Sequence, residues 1–83
     1  MWTKRDVLEA AARGEGCLGK AADDEPIFVV RGQDLLFGET VEEWAAKLRA
    51  RSPVRGAAKA AEADVFASET REWQKTHYCK LPD

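Results

Sequence analysis

No apolar run in this chain approaches the length of a membrane span. The longest uninterrupted one is Ile27 to Val30, whereas a transmembrane helix needs about 20 apolar residues. The N-terminal Met1-Trp2-Thr3-Lys4-Arg5 also has no apolar stretch behind it that would serve as a signal peptide. We therefore expect a cytoplasmic protein without a membrane partner.

Cysteine and histidine are scarce, with only Cys17, Cys79 and His77 in the chain. In a reducing compartment we expect two free thiols rather than a disulfide. A zinc site built from these three residues would lack a fourth ligand and the usual C-x-x-C spacing. His77 and Cys79 place a base near a thiol, but no third residue that would orient the base is identifiable. We therefore predict no metal, no cofactor and no catalytic residue, and a protein that is not an enzyme.

The chain also lacks a strong excess of one charge. Thirteen Lys and Arg residues against fifteen Asp and Glu residues give a net charge of −2, which is too small to imply a polyanion as partner. The glycines at positions 14, 16 and 19 match neither of the common phosphate-binding loops. With 83 residues, 45% of them apolar, the composition is that of one small folded domain.

Helix signals are what the sequence does contain. They predict three helices, at about 3–13, 40–52 and 57–76. Thr3 and Asp6 form a variant of the capping box, and Thr40 and Glu43 form a complete one. The second helix then carries an apolar stripe at the spacing of one helix face, and we expect it to lie in the core. Its members are Val41, Trp44, Ala45 and Leu48.

One run of β-forming residues, 25–31, interrupts the helices. Its four central residues, Ile27, Phe28, Val29 and Val30, are all apolar, which is typical of a strand covered on both faces. A lone strand leaves its backbone N–H and C=O groups without partners. We expect the strand, about 26–31, to pair with a minor second strand such as Cys17 to Lys20, with the same strand of a second copy, or with another protein. The predicted fold is a single α+β domain, 1–83, in which Ile27 to Val30 mediate self-association.

Two groups of charged residues are candidates for contacting a partner. A basic stretch runs from Lys47 to Lys59 without an acidic residue, across a predicted helix–turn–helix connection. Such a stretch can contact phosphates or an acidic protein surface, or simply complement the dipole at a helix end. Acidic residues flank the predicted strand and open the second helix, where they could imitate phosphates. The predicted partner-binding residues are Arg49, Arg51, Arg55, Asp23, Asp24, Glu42 and Glu43.

Residues 25–45 resemble a group of small uncharacterised proteins encoded by phages and prophages of bacteria with GC-rich genomes. Those proteins carry an EPVFVLRAQD-like strand followed by a V-x-x-W-A helix. The matching residues here are Glu25 to Asp34, then Val41 and Trp44-Ala45, with a closing Leu81-Pro82-Asp83. Gly32 stands where those proteins usually have alanine. The resemblance implies an origin in a mobile element and action in a bacterial cytoplasm, and small phage proteins of this size are often inhibitors of host defence, including anti-CRISPR proteins.

The predicted function is that of a non-enzymatic interaction protein, encoded by a phage or prophage, which blocks a host defence complex sterically and electrostatically. Its expected partners are a host protein or ribonucleoprotein and a second copy of itself. The alternative is a small DNA-associated regulator that uses the basic segment 47–59. We rank nucleic acid below protein as a partner, because the helix that follows the basic turn begins with alanines and offers few side chains for reading bases.

Overall fold

A computed structural model describes residues 2–82, and these fold into four helices. They are α1 (Lys4–Ala12), α2 (Gly16–Lys20), α3 (Phe37–Arg51) and α4 (Ala57–Gln74). Three of them fall where helices are predicted, and α2 is a short additional one. Within residues 2–82 there is no β-sheet, since the only β pairing is one isolated bridge. The predicted α+β fold is therefore wrong, and the chain is mainly α-helical.

The first two helices form a tight N-terminal hairpin. The capping box predicted for α1 is confirmed: the Thr3 N–H donates to Asp6 Oδ2 at 3.0 Å, and the Asp6 N–H donates to Thr3 Oγ1 at 3.3 Å. After α1, Gly14 and Gly16 adopt φ values of 71° and 73°, a region that favours glycine. The chain thereby reverses, and α2 packs against α1. Residues 17–20, considered as a second strand, belong to this helix, so that prediction is wrong.

The second predicted helix starts earlier than its capping box indicates. Thr40 and Glu43 both lie inside α3, which begins at Phe37 without a side-chain cap on its N-cap residue. The turn before it is closed by Asp34, whose Oδ1 accepts a hydrogen bond from the Leu36 N–H at 2.8 Å. The Asp34 carboxylate already satisfies the Leu36 N–H at this end of the helix. The helix therefore begins at Phe37, before Thr40.

Alanines and one aromatic pair make the core between α3 and α4. Ala45, Ala60 and Ala67 have no exposed surface. The Phe37 ring meets the Phe66 ring edge to face, with centroids 5.3 Å apart. Small side chains at a helix–helix contact allow the two axes to approach closely, which leaves no room between them for an indole. Trp44, expected in the core, is half exposed instead.

The segment that precedes α3 is attached to the end of α4 and to the C-terminal tail. Gln74 Nε2 donates to the carbonyl oxygens of Gly32 at 2.8 Å and Asp34 at 3.0 Å. The tail adds one parallel bridge between Asp34 and Lys80. Helix-to-helix contacts within residues 2–82 join only α1 with α2 and α3 with α4. Residues 21–36 therefore connect two separate helical hairpins, and the predicted strand lies in this connection.

Candidate protein-interaction site

Residues 25–31, which we call the unpaired segment, run between the two hairpins without a helix, turn or bend. Phe28 is 86% exposed, Val29 71% and Ile27 57%. Val30 alone among the four apolar residues is half-buried. Within residues 2–82 the chain itself therefore does not cover both faces of this run.

The backbone of the unpaired segment is as open as its side chains. Among residues 2–82, no N–H or C=O group from Pro26 to Val30 has a protein hydrogen-bond partner. The segment is fastened only at its two ends: the Glu25 N–H donates to the Ala22 carbonyl at 3.1 Å, and the Arg31 carbonyl accepts from the Asp34 N–H at 2.9 Å. The sequence predicts a strand here, whereas the structure assigns residues 25–31 to no strand and gives them no β-bridge to another part of residues 2–82.

The two ends of the unpaired segment carry opposite charges. Glu25 is exposed, and its Oε1 accepts the Ala22 N–H at 3.3 Å. Arg31 is exposed, and within the described part of the chain it makes no ion pair. Asp23 and Asp24, which precede the segment, are also exposed and without an ion pair among residues 2–82. An acidic end and a basic end thus bracket an apolar middle.

Three of the charges predicted to bind a partner form ion pairs inside the chain. The Arg71 guanidinium clamps Glu42 with two hydrogen bonds, of 2.6 and 2.7 Å, between α4 and α3. Two further ion pairs join Arg49 to Asp64 and Glu43 to Lys47. Glu42 and Arg49 thus link α3 to α4, and Glu43 pairs within α3. Of the predicted partner-binding set, the structure leaves Arg51, Arg55, Asp23 and Asp24 without an ion pair in the described range.

The clamp between Glu42 and Arg71 should make stability depend on pH in acid. The hydrogen bonds from Arg71 hold the pKa of the Glu42 carboxyl below its ordinary value. The folded state therefore favours the carboxylate, so the clamp stabilises the fold above the ordinary pKa, and this contribution is lost as the pH falls through the lowered one. We expect Glu42→Gln to melt below the wild type at pH 7, and the difference to narrow at an acid pH well below the ordinary glutamate pKa.

Far-UV circular dichroism of the two proteins at both pH values measures this difference. Glu43→Gln is the matched control, because Glu43 pairs with Lys47 within one exposed helix face at 3.2 Å. Such a pair contributes little, and its loss should change the melting temperature less than loss of the clamp. A melting difference for Glu42→Gln that is the same at both pH values would contradict the role given to the clamp.

The one place where histidine and cysteine come together is arranged as a helix end. The His77 ring stacks on Trp73, with centroids 3.9 Å apart and planes 7° apart. His77 Nδ1 lies 2.7 Å from the Trp73 carbonyl oxygen, which also accepts hydrogen bonds from the Thr76 N–H and the Thr76 hydroxyl. The Cys79 thiol is directed at the carbonyl oxygens of His77 and Gln74. Both cysteines are free thiols. These contacts terminate α4, and none of them places the imidazole on the thiol.

Residues 2–82 contain neither a candidate metal site nor a membrane-spanning helix, and comparisons with known proteins indicate no other functional site. Among residues 2–82, no three His, Cys, Asp or Glu side chains are grouped closely enough to hold a metal ion. No helix in that range combines the length and apolar character needed to cross a bilayer. No protein-family model, curated protein or solved structure gives a significant match to the chain.

Proposed function

We propose that this chain is a non-enzymatic interaction protein whose unpaired segment binds another protein chain. The observation that carries the proposal is the coincidence, in residues 26–30, of exposed apolar side chains with unpartnered backbone groups. An added β-strand would supply main-chain hydrogen bonds and would bury alternate side chains at the same time. Phe28, with 86% of its surface exposed, is the natural anchor of such a contact.

Of the predicted partner-binding charges without an ion pair among residues 2–82, Asp23 and Asp24 are proposed to lie at the rim of the contact, because they adjoin the unpaired segment in sequence. Arg51 ends α3 and Arg55 lies in the turn before α4, at the end of the hairpin away from the unpaired segment. Charges at a rim stay solvated, so they steer association and select partners more than they add affinity. This role fits residues that do not hold the fold together.

A narrower proposal concerns the identity of the partner. The resemblance of residues 25–45 to phage and prophage proteins supports a host protein or ribonucleoprotein of a bacterial defence system as the target. The protein would act in the host cytoplasm by covering a surface that the complex needs, in the manner of an anti-CRISPR protein. A DNA-associated regulator is second, because three of the five cations in segment 47–59 are already in ion pairs.

Affinity capture from a bacterial lysate tests the proposed function. We expect the wild type to retain a host protein in near-stoichiometric amount and Phe28→Asp to lose it, because a charge cannot enter a desolvated contact without a large penalty. Val54→Asp is the matched control, since Val54 is 87% exposed in the turn after α3. Equal capture by Phe28→Asp and Val54→Asp would refute a role for the unpaired segment.

A further inference from the structure

We propose that the unpaired segment pairs with the same segment of a second copy as an antiparallel two-stranded ribbon, with the two-fold axis at Phe28. This inference rests on the proposed function, because it assumes that the segment binds protein, and it names the chain that occupies it. Three independent features of residues 25–31 select this arrangement: the charges at its ends, the position of its proline, and the hydrogen bonds that already close its termini.

The end charges select antiparallel pairing. With Phe28 on the axis, Glu25 of each copy lies opposite Arg31 of the other, so two pairs of opposite charge form. Directly opposed residues in a ribbon have Cβ atoms about 5 Å apart, and opposite charges stabilise there whereas like charges destabilise. A parallel, in-register pair would set Glu25 against Glu25 and Arg31 against Arg31. Among residues 2–82 the Arg31 side chain makes no ion pair, and one Glu25 carboxylate oxygen is not used by the Ala22 N–H.

The proline selects which residues exchange hydrogen bonds. Opposed residues in an antiparallel ribbon alternate between hydrogen-bonded and non-hydrogen-bonded pairs. If Phe28 meets its own copy in a non-hydrogen-bonded pair, then Pro26, opposite Val30, also occupies a non-hydrogen-bonded position. There the missing N–H of proline costs nothing. Ile27 and Val29 then exchange N–H···O=C bonds with each other across the interface. The opposite phase would place Pro26 in a hydrogen-bonded pair and lose a donor.

The hydrogen-bonded turns at the two ends of the unpaired segment limit the ribbon to residues 25–31. The Glu25 N–H and the Arg31 carbonyl, which an outer hydrogen-bonded pair would use, are already bonded to Ala22 and Asp34. The other two groups of that pair, the Glu25 carbonyl and the Arg31 N–H, have no backbone partner within residues 2–82. The ribbon therefore closes at these residues, where the chain turns away on both sides.

Engineered cysteines test the axis directly. In a Cys17→Ser, Cys79→Ser background, Phe28→Cys places two thiols across the axis at a Cα separation of about 4.5 Å, within the range of a disulfide. We expect mild oxidation to give a covalent dimer of Phe28→Cys on a non-reducing gel. Ile27→Cys is the control, because two copies of Ile27 are offset by about 6.8 Å along the ribbon as well as by about 4.8 Å between the strands. The resulting separation exceeds the roughly 7 Å that a disulfide can bridge. Dimers from both variants would overturn the antiparallel register, and a dimer from neither would overturn self-pairing.

A charge exchange provides a second test that keeps Phe28 intact. Glu25→Arg and Arg31→Glu each turn two attractive pairs into two repulsive ones, so each should weaken dimerisation about tenfold. The double exchange restores both attractions and should recover the wild-type dissociation constant. Light scattering should give the wild type twice its chain mass of 9.2 kDa. A double-exchange variant that dimerises as weakly as the single variants would refute the predicted pairing.

The two proposals fail in different ways. A wild type that stays monomeric at millimolar concentration, while Phe28→Asp still loses a captured host protein, overturns self-pairing and leaves the proposed function standing. A Phe28→Cys variant that forms the cross-linked dimer, while Phe28→Asp and Val54→Asp capture the same proteins, supports self-pairing and overturns host binding through the unpaired segment.

Discussion

Replacing Phe37 by alanine is expected to lower the free energy of unfolding by about 3–5 kcal/mol, the range for a buried phenylalanine. Phe37 is 6% exposed and meets Phe66 edge to face. Its removal would leave a cavity that the alanine-lined contact between α3 and α4 cannot refill. A domain of this size has a total stability of about 4–12 kcal/mol, so a large part of it depends on one ring. Urea denaturation followed by far-UV circular dichroism measures the change.

Phe28→Ala is the matched control for this experiment, because it removes the same atoms from a side chain that is 86% exposed. We expect it to change the free energy of unfolding by less than about 0.5 kcal/mol. The comparison is made at a protein concentration at which light scattering shows monomers, so that self-association does not contribute. A loss of several kcal/mol from Phe28→Ala would mean that the unpaired segment belongs to the core after all, as the sequence predicts.

Gly56→Ala is the second substitution with a large expected effect, of about 2–3 kcal/mol. Gly56 precedes α4 with φ −85°, which any residue adopts, so backbone conformation is not the cause. The cause is space: a Cβ at this position would lie 2.7 Å from the Ser52 carbonyl oxygen and 2.9 Å from Leu48 Cγ. The carbonyl belongs to the backbone of the turn between α3 and α4. It cannot move aside without opening the hairpin.

Gly32→Ala provides the contrast for Gly56→Ala. A Cβ on Gly32 would meet Thr70 and Trp73 at 3.6 Å, which is ordinary van der Waals contact. Alanine also restricts the unfolded chain more than glycine does, which stabilises a fold by about 0.4–1 kcal/mol where the backbone permits. We therefore expect Gly32→Ala to be neutral or slightly stabilising in the same urea titration. A similar loss for both substitutions would show that the close contact at Gly56 is not the source of its effect.

If the unpaired segment carries the function, stability and binding are divided between different residues. The Phe37–Phe66 pair, the buried alanines and the Glu42–Arg71 clamp hold α3 to α4. Residues 26–30 take no part in that core, so selection on binding could change them at little cost to folding. The division also explains why charge reversal at Glu42 or Arg49 is a poor test of binding: both residues are ion-paired across the hairpin, and their reversal would disturb the fold.

Short-range signals in the sequence were sufficient for most helix ends. The Thr3–Asp6 capping box, the Asp34 cap on the following turn and the end of α3 before Pro53 are each decided within about four residues. The backbone groups at a helix end are satisfied by side chains close in sequence, so such signals can be read locally. Thr40 and Glu43 show the limit of such local signals. They form an equally good capping pattern, yet they lie inside α3, because the helix begins earlier, at Phe37.

Contacts between residues far apart in sequence decided how the helices pack and which side chains are buried. Nothing near Glu42 indicates that Arg71 will clamp it, and nothing near Trp44 indicates that alanines will close the hairpin and leave its indole half exposed. The run from Ile27 to Val30 has the composition of a buried strand, yet burial needs a second surface. Within residues 2–82 the α3–α4 hairpin completes its core with its own side chains, and Ile27, Phe28 and Val29 stay exposed. Local chemistry therefore determines where this backbone coils into helix, whereas only packing determines which apolar residues find a partner inside the molecule.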